Sequence, residues 1–335
     1  MTSNSTETTN ARRLAFGPED KLMNMSRVKY QWAVDIHEEM VANFWTEKKV
    51  PMGGDKQCYA TQLTPAERRA YDKALAFVSN LDGIQFNNLI QNIGQHVTAP
   101  EVSGALARQA AEEYMHVRVY QTMIEAVSLN PEEIYLAFEK DGLLAQKNAY
   151  IMGQSDILKG DPTPASFARA IVGNLILEGI YFYNAFLVFG ALAQNGKMLA
   201  SADNIKYIAR DEGGTHLELF SHMHGTFREE NPHLYDAQFY AEAEALFRGA
   251  VDLEDNWGQH MVGSGIPGLT PSMMAAFPRH LANMRWQIVK PGAPDLYPGV
   301  TNPAPWFFPF FKVNGSRQNF FETTVVDYDQ SGLEW

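Results

Sequence analysis

Two stretches decide the fold of this chain: Glu112-Glu113-Tyr114-Met115-His116 and Asp211-Glu212-Gly213-Gly214-Thr215-His216. Each carries a carboxylate and an imidazole about one helical turn apart, and each lies in a segment of helical periodicity. Side chains three or four residues apart share one face of a helix, so each stretch offers one Glu and one His to a common point. Two such pairs, completed by a single carboxylate from each of two further helices, form the dinuclear metal site of some four-helix bundles.

Two isolated acids are candidates for the single carboxylates. Asp82 and Glu178 each lie among apolar neighbours, where an unpaired carboxylate is costly to bury and metal coordination would relieve the cost. For either residue, a buried ion pair or a helix-face acid that reaches solvent is the alternative. One Glu/His pair alone is more often a solvated helix face, but four acids and two imidazoles together predict a dinuclear site. These ligands suit iron or manganese, while zinc stays open on ligand type alone.

Length, charge and cysteine content limit the class of protein. A chain of 335 residues can form one large domain or two ordinary ones with a sizeable core. The formal net charge of −12 argues against broad nucleic-acid binding, and the single cysteine, Cys58, excludes an intrachain disulfide. Residues 1–10 lack the apolar region of a secretory signal, and polar residues interrupt the longest apolar stretch, 170–193, which favours a buried core helix. We therefore expect a cytoplasmic protein that binds neither nucleic acid nor membrane.

The rest of the chain also has mainly helical periodicity, and no neighbouring segments alternate with period two, so an all-α fold is predicted. A capping Thr64, Pro65 at the first helical position and Glu67 mark one helix start. The predicted helices cover roughly 27–45, 65–93, 103–129, 131–152, 166–192, 202–227, 237–262 and 271–286, with Pro51-Met52-Gly53-Gly54 among the breaks between them. Recurrent Pro and Gly from Lys290 onward indicate an irregular arm. We divide the chain into a flexible N-terminus, 1–20, a helical domain, 21–321, and a flexible tail, 322–335.

Six motifs, in their order along the chain, resemble those of the small (beta) subunit of class I ribonucleotide reductase, a ferritin-like family with a dinuclear metal-carboxylate site. The resemblance runs from about Tyr30 to the C-terminus. No single motif is decisive, but their combination is highly specific. The motifs are Asn43-Phe44-Trp45, Leu81-Asp82-Gly83-Ile84-Gln85, Glu113-Tyr114-Met115-His116, Glu178-Gly179-Ile180-Tyr181-Phe182-Tyr183, Ile208-Ala209-Arg210-Asp211-Glu212 and Asn302-Pro303-Ala304-Pro305-Trp306.

The resemblance implies a ferritin-like helical bundle with additional helices, a C-terminal arm and two metal ions per chain, with iron expected and manganese or a mixed pair as alternatives. The implied ligands are Asp82, Glu113 and His116 at one metal, and Glu178, Glu212 and His216 at the other.

The second half-site departs from the family spacing of Glu-x-x-His. Four residues separate Glu212 from His216, and a local π-bulge eased by Gly213-Gly214 would absorb the extra residue. We expect His216 to bind the metal, with His222 or His224 as the fallback. At the first half-site Glu112 also lies one turn before the histidine, but the family pattern favours its neighbour.

The resemblance also implies a route for an oxidising equivalent. Tyr120, one turn after His116, falls at the radical position of the family, with Phe182, Phe186 and Ile208 where the family places an apolar pocket. Trp45, Asp211 and Tyr328 match residues that carry the oxidising equivalent out of the subunit. An aspartate is also the usual partner of the second nitrogen of a ligand imidazole.

The implied function is the radical-generating small subunit of an aerobic ribonucleoside-diphosphate reductase. The family forms homodimers, and the tail, 322–335, is expected to dock on a separate large subunit. The alternatives are a ferritin-like oxidase or N-oxygenase that acts on its own small substrate, and a metal-storage protein. The tail and Tyr120 argue against the oxidase, and a storage protein would be much shorter and would need no aromatic relay.

Overall fold

The computed structural model describes residues 11–18, 23–128 and 130–312. Over these ranges the chain is α-helical with two isolated β-bridges and no strand, so the all-α prediction is confirmed. The helices are α1 Gln31–Ala42, α2 Gly53–Thr61, α3 Pro65–Asn88, α4 Pro100–Val127, α5 Pro131–Tyr135, α6 Ala137–Lys140, α7 Gly142–Ser155, α8 Ile157–Gly160, α9 Pro164–Ile176, α10 Tyr183–Gln194, α11 Leu199–Asp211, α12 Leu217–Glu230, α13 Ala237–Val262, α14 Pro271–Val289 and α15 Phe307–Phe311. Short π-helical turns occupy Leu89–Ile93, Leu177–Tyr181 and Glu212–His216, and one 3-10 turn occupies Pro232–Leu234.

Local capping signals set several helix ends as predicted. The side chain of Thr64 accepts a hydrogen bond from the backbone N–H of Glu67, and the Glu67 carboxylate accepts one from the Thr64 N–H at 2.8 Å. This capping box satisfies two of the free backbone donors that every helix N-terminus presents. The predicted helix 237–262 has the same bounds as α13, whose N-cap is the side chain of Asp236.

Two sequence predictions are wrong. The segment 131–152 is not one helix but parts of α5, α6 and α7, because Asp141 ends α6 and caps α7 by accepting from the backbone of Leu143 at 3.1 Å. Residues 53 and 54 do not lie in a break between helices, because they are the first residues of α2. Its Asp55 accepts hydrogen bonds from the backbone of Ala200 and Ser201 at 3.1 and 2.6 Å, and these distant contacts offset the low helix propensity of glycine.

The central bundle brings the predicted ligands to its interior. Helix α3 packs on α4 and α10, α4 packs on α1, and α9 packs on α12. The π turns 177–181 and 212–216 contact each other across the bundle, while the pair α13 and α14 covers its outside. A short helix, α15, interrupts the arm that was predicted to be irregular, and it packs on α10 and α11.

One continuous helical run, Pro164–Gln194, is long and apolar enough to cross a membrane by composition alone. Its most apolar window is entirely buried inside the fold. The prediction that this stretch is a core helix is therefore confirmed. Cys58 is a buried free thiol.

Candidate metal centre

The structure brings all six predicted ligands together in two overlapping groups. Each group offers one donor atom per residue, and these atoms lie within 4.8 Å of one another. Every side chain in both groups is buried. The first group is Asp82, Glu113, His116 and Glu212, and the second is Glu113, Glu178, Glu212 and His216.

Two of the carboxylates lie between the two imidazoles. Nδ1 of His116 is 2.9 Å from Glu212 Oε1 and 3.8 Å from Glu113 Oε2. Nδ1 of His216 is 3.3 Å from both Glu113 Oε1 and Glu212 Oε2. Glu113 and Glu212 therefore turn one oxygen toward each histidine, which is the geometry of bridging carboxylates. The resemblance implied one metal for each of them, whereas each lies between the two imidazoles and could hold both ions.

The remaining two carboxylates each lie at one end. Asp82 Oδ2 is 3.5 Å from Nδ1 of His116, and Glu178 Oε2 is 4.0 Å from Nδ1 of His216. Burial, followed by the neighbouring carboxylate of Glu212, raises the pKa of both acids well above its ordinary value. A pair of nearby cations would reverse that effect, because positive charge stabilises the ionised form.

Six of the donor atoms at the centre lack hydrogen-bond partners among the described residues. They are buried, and a buried polar atom without a partner costs on the order of 1–3 kcal/mol. Two metal ions would satisfy these atoms together, and all of them are oxygen or nitrogen donors that suit iron or manganese. The residues therefore fit a dinuclear metal site. The atoms are both oxygens of Asp82, Glu113 Oε2, His116 Nδ1, Glu178 Oε2 and Glu212 Oε1.

The extra residue of the second half-site is absorbed as predicted. Residues Glu212–His216 form a π turn between α11 and α12, with Gly214 out of helical geometry at φ −98° and ψ −106°. Both imidazoles thus reach the centre despite their different spacings from glutamate. The fallback residues lie elsewhere: His222 stacks on Trp32 with ring centroids 5.2 Å apart, and His224 Nε2 is 3.2 Å from the Val289 carbonyl.

Glu112 points away from the centre and supports His216 from behind. Nε2–H of His216 donates to Glu112 Oε2 at 3.0 Å, and Arg108 donates to Glu112 Oε1 at 2.8 Å. The sequence offered Glu112 as a rival ligand, but the structure places Glu113 in the centre and Glu112 behind it. No spacing rule pointed to this outer role.

His116 has the same kind of support from Asp211. Nε2–H of His116 donates to Asp211 Oδ2 at 3.3 Å, and Arg210 donates to Asp211 Oδ1 at 2.6 Å. Burial alone would raise the pKa of Asp211, but hydrogen bonding to His116 and the charge of Arg210 hold it below its ordinary value. The carboxylate thus remains ionised, fixes the imidazole ring and increases its basicity as a ligand.

One short segment, residues 40–45, binds the arginines that contact Glu112 and Asp211. The Met40 carbonyl accepts from Arg108 at 3.2 Å, and the Asn43 carbonyl accepts from Arg210 at 2.8 Å. The indole N–H of Trp45 donates to Asp211 Oδ2 at 2.7 Å. Both arginine–carboxylate–histidine chains therefore begin at the end of α1.

Three amides bind one oxygen of Glu178. Oε1 accepts hydrogen bonds from Gln85, from Gln109 at 2.7 Å and from Asn174 at 3.4 Å. This leaves Oε2 as the oxygen that faces the centre. Gln85 stands in one of the quoted motifs, but nothing in the sequence indicated which atom its amide would bind.

Tyr120 lies one turn after His116 on α4 and is completely buried. Its hydroxyl has no hydrogen-bond partner among the described residues. Burial, followed by the charges of Asp82 and Glu212, raises the pKa of Tyr120 well above its ordinary value, so the phenol stays neutral. The predicted pocket residues are also fully buried: Phe182, Phe186 and Ile208. Tyr328 lies outside the described residues.

Comparisons with known proteins show the family of the chain. The family model for the ribonucleotide reductase small chain matches residues 22–303. The chain is 32% identical to ribonucleoside-diphosphate reductase subunit beta from Treponema pallidum (strain Nichols) over 326 residues, which is 96% of this chain and 91% of that protein.

Solved structures give the same result. The ribonucleotide reductase R2 subunit from Clostridium botulinum matches with a TM-score of 0.85 and 33% identity, over 90% of this chain and 95% of that one. Streptococcus sanguinis dimanganese(II)-NrdF shares the fold with a TM-score of 0.72 at 17% identity, over 88% of this chain and 100% of that one. These matches confirm the ferritin-like fold, and the chain belongs to the family of ribonucleotide reductase small chains.

Proposed function

We propose that this chain generates the radical of a cytoplasmic ribonucleoside-diphosphate reductase and stores it as a tyrosyl radical on Tyr120. Membership of the small-chain family makes it a subunit of an oxidoreductase. The observation that carries the proposal is the shared face of α4, where His116 and Tyr120 lie one turn apart and are both fully buried. A storage protein or an oxidase with its own substrate does not need a sequestered phenol at this place.

The proposed metal ligands are the six residues of the two overlapping groups. Iron is the expected metal, although the same carboxylates and imidazoles suit manganese or a mixed pair. Two redox-active ions bound there would supply the oxidising power, drawn from oxygen, that removes an electron from a phenol. Glu113 and Glu212 would offset the repulsion between the ions, because each presents one oxygen to either side.

Tyr120 is suited to hold a long-lived radical. It is a neutral phenol, so its oxidation removes both an electron and the hydroxyl proton. Because its side chain is completely buried, water and dissolved reductants do not reach the ring. Its hydroxyl has no hydrogen-bond partner among the described residues, and the carboxylates of Asp82 and Glu212 are the main charges that act on it. The proton released on oxidation would pass inward, toward these carboxylates.

The proposed route out of the subunit follows the hydrogen bonds from His116 through Asp211 to Trp45. The two bonds measure 3.3 and 2.7 Å, and they join the centre to an indole that is only 5% exposed. Beyond it we place Tyr328 and the tail 322–335, which would dock on the large subunit that completes the enzyme. This chain has one cysteine, so the thiol chemistry of ribonucleotide reduction must belong to that partner.

We also propose that the chain forms a homodimer. Large apolar side chains are exposed just after α1 and on α4, with Phe44 62% and Tyr114 56% accessible. Val41 in α1 and Ile90 in the π turn 89–93 are exposed as well. Large apolar side chains that face solvent are typical of protein–protein interfaces. Sedimentation equilibrium should give the mass of two chains, and Phe44→Asp should shift the mass toward one.

Electron paramagnetic resonance (EPR) tests the central proposal. Metal-loaded protein exposed to oxygen should give a tyrosyl signal, which Tyr120→Phe should abolish while both metal ions remain bound. Tyr114→Phe is the matched control, because it changes an exposed tyrosine on the same helix and should keep the signal. A metal-loaded protein that consumes oxygen and oxidises an added small substrate without any tyrosyl signal would instead support the oxidase alternative.

A further inference from the structure

Tyr207 covers the outer side of Trp45. The two rings stack with centroids 5.0 Å apart and an interplanar angle of 30°, closer than the 6.1 Å between the rings of Trp45 and His116. Tyr207 lies on α11 and is partly exposed, whereas Trp45 is buried. The indole is therefore close both to the buried imidazole of His116 and to the partly exposed ring of Tyr207.

The charges around this stack hold it in place. The guanidinium of Arg210 lies 5.5 Å from the centre of the Tyr207 ring, and the same guanidinium binds Asp211 and the Asn43 carbonyl. The Trp45 N–H is fixed on Asp211 at 2.7 Å. Both rings are thus tied to a single hydrogen-bonded group, which keeps them in contact.

The arm that leads to the C-terminal tail reaches the same turn of α11. Lys206, the residue before Tyr207, places its ammonium 4.6 Å from the ring centre of Phe310 in α15. The described chain ends two residues later at Lys312, and Tyr328 is sixteen residues further along the sequence. A chain of that length spans at most about 55 Å, so the tail tyrosine is tethered within reach of this surface.

We propose that Tyr207 is an electron-transfer residue that links Trp45 to the surface of the subunit. The inference rests on the proposed function, which supplies the oxidising equivalent. Tyr207 gives one electron to the oxidised indole of Trp45, which returns to neutral tryptophan with its N–H still bonded to Asp211. Tyr207 loses its hydroxyl proton to water, which its partial exposure permits, and becomes a neutral tyrosyl radical. An electron and a proton from the next donor, Tyr328 or a tyrosine of the large subunit, restore it.

A purely structural role for Tyr207 predicts different behaviour from its variants. Tyr207→Phe keeps the stacked ring but removes the oxidisable hydroxyl, whereas Tyr207→Leu removes both. If the residue only shields Trp45, the phenylalanine variant should behave as the unsubstituted protein. If the residue carries an electron, both variants should lower turnover with the large subunit at least tenfold, with the yield of the Tyr120 radical unchanged. Wild-type turnover in Tyr207→Phe would overturn the proposal.

Freeze-quench EPR gives a second readout that does not depend on turnover. In Tyr120→Phe the oxidising equivalent can no longer rest on Tyr120, so we expect a short-lived tyrosyl signal that narrows on labelling with ring-deuterated tyrosine. The signal should vanish in Tyr120→Phe/Tyr207→Phe and in Tyr120→Phe/Trp45→Phe, and persist in the control Tyr120→Phe/Tyr114→Phe. Suppose that the unsubstituted protein shows its Tyr120 radical. The proposal is then overturned if the short-lived signal persists in Tyr120→Phe/Tyr207→Phe, or if Tyr120→Phe shows no such signal. If the unsubstituted protein shows none, the proposed function fails, and the role of Tyr207 fails with it.

Discussion

Replacing Glu112 should weaken the binding of one metal ion and leave the binding of the other unchanged. In Glu112→Leu the Nε2–H of His216 loses the acceptor that now lies at 3.0 Å, and Arg108 loses its ion-pair partner. The second chain of support, through Asp211 to His116, is untouched. The imidazole of His216 should then rotate more freely and bind its metal less tightly.

The size of the effect follows from the role of the lost bond. Removing an outer partner of a ligand histidine typically costs 10–100-fold in metal affinity, which corresponds to about 1.4–2.7 kcal/mol. Glu112→Gln keeps an acceptor oxygen for the Nε2–H and loses only the charge, so its effect should stay below about tenfold. Asp211→Leu is the mirror variant and should weaken the ion on the His116 side by a similar factor.

Manganese titration of the metal-free protein provides the assay, because free and bound Mn(II) differ in their EPR spectra. The unsubstituted protein should bind two ions tightly, and Glu112→Leu should bind one tightly and one 10–100-fold more weakly. Crystals of the variant soaked at limiting manganese should show anomalous density on the His116 side. Two ions bound with unchanged affinity, or equal weakening of both, would refute the assigned role of Glu112.

The other predictions concern stability and the tail. Tyr120→Phe removes a buried hydroxyl without a hydrogen-bond partner in the described structure, so thermal melts of the metal-free protein should show unchanged stability or a gain of about 1 kcal/mol. Lys147 and Glu254 form a fully buried ion pair, so Glu254→Leu alone should cost about 3–5 kcal/mol, while denaturant titrations should find Lys147→Met/Glu254→Leu neutral or more stable. Burial raises the pKa of Glu254 from 4.5 to about 7, and the folded state therefore retains a proton that the unfolded state releases. The contribution of Glu254 to the free energy of unfolding is complete below the pKa of its unfolded state and is lost as pH rises toward 7. Between pH 5 and 7 the free energy of unfolding of the unsubstituted protein should therefore fall relative to that of Glu254→Gln. Deleting the chain from Tyr328 onward should abolish turnover with the large subunit and leave the Tyr120 EPR signal intact, whereas full turnover would exclude the docking role.

Residue spacing indicated the two Glu/His stretches as candidate ligands, because helical periodicity decides which side chains share a face, and the family resemblance completed the set. It also predicted the π turn at 212–216, since one extra residue must be absorbed somewhere if His216 is to face the centre. Spacing could not decide which carboxylates lie between the two histidines. Glu112 and Glu113 are both about one turn from His116, and only the packing of α4 on its neighbours determines which of them faces inward.

Contacts between distant parts of the chain were out of reach of local patterns. The two glycines that begin α2 have low helix propensity. The contact that stabilises this helix comes from Ser201, which lies 146 residues beyond Asp55 in sequence. Tyr207 has an ordinary position on α11, and nothing near it in sequence indicates that Trp45 lies against its ring. Pairwise side-chain geometry of this kind follows from the assembled bundle, not from periodicity.

The last turn of α1 has a consequence for how the protein acquires its metals. The carbonyls of Met40 and Asn43 accept from the two arginines that steady opposite sides of the centre. Fraying of this single turn would therefore release both imidazoles at once, and binding of either ion would order the turn for the other. Uptake of two ions would then be coupled through the peptide backbone, and the coupling would be reciprocal. Glu112→Leu leaves the Met40 and Asn43 carbonyls and their arginines in place, so its effect should still fall mainly on the His216 side.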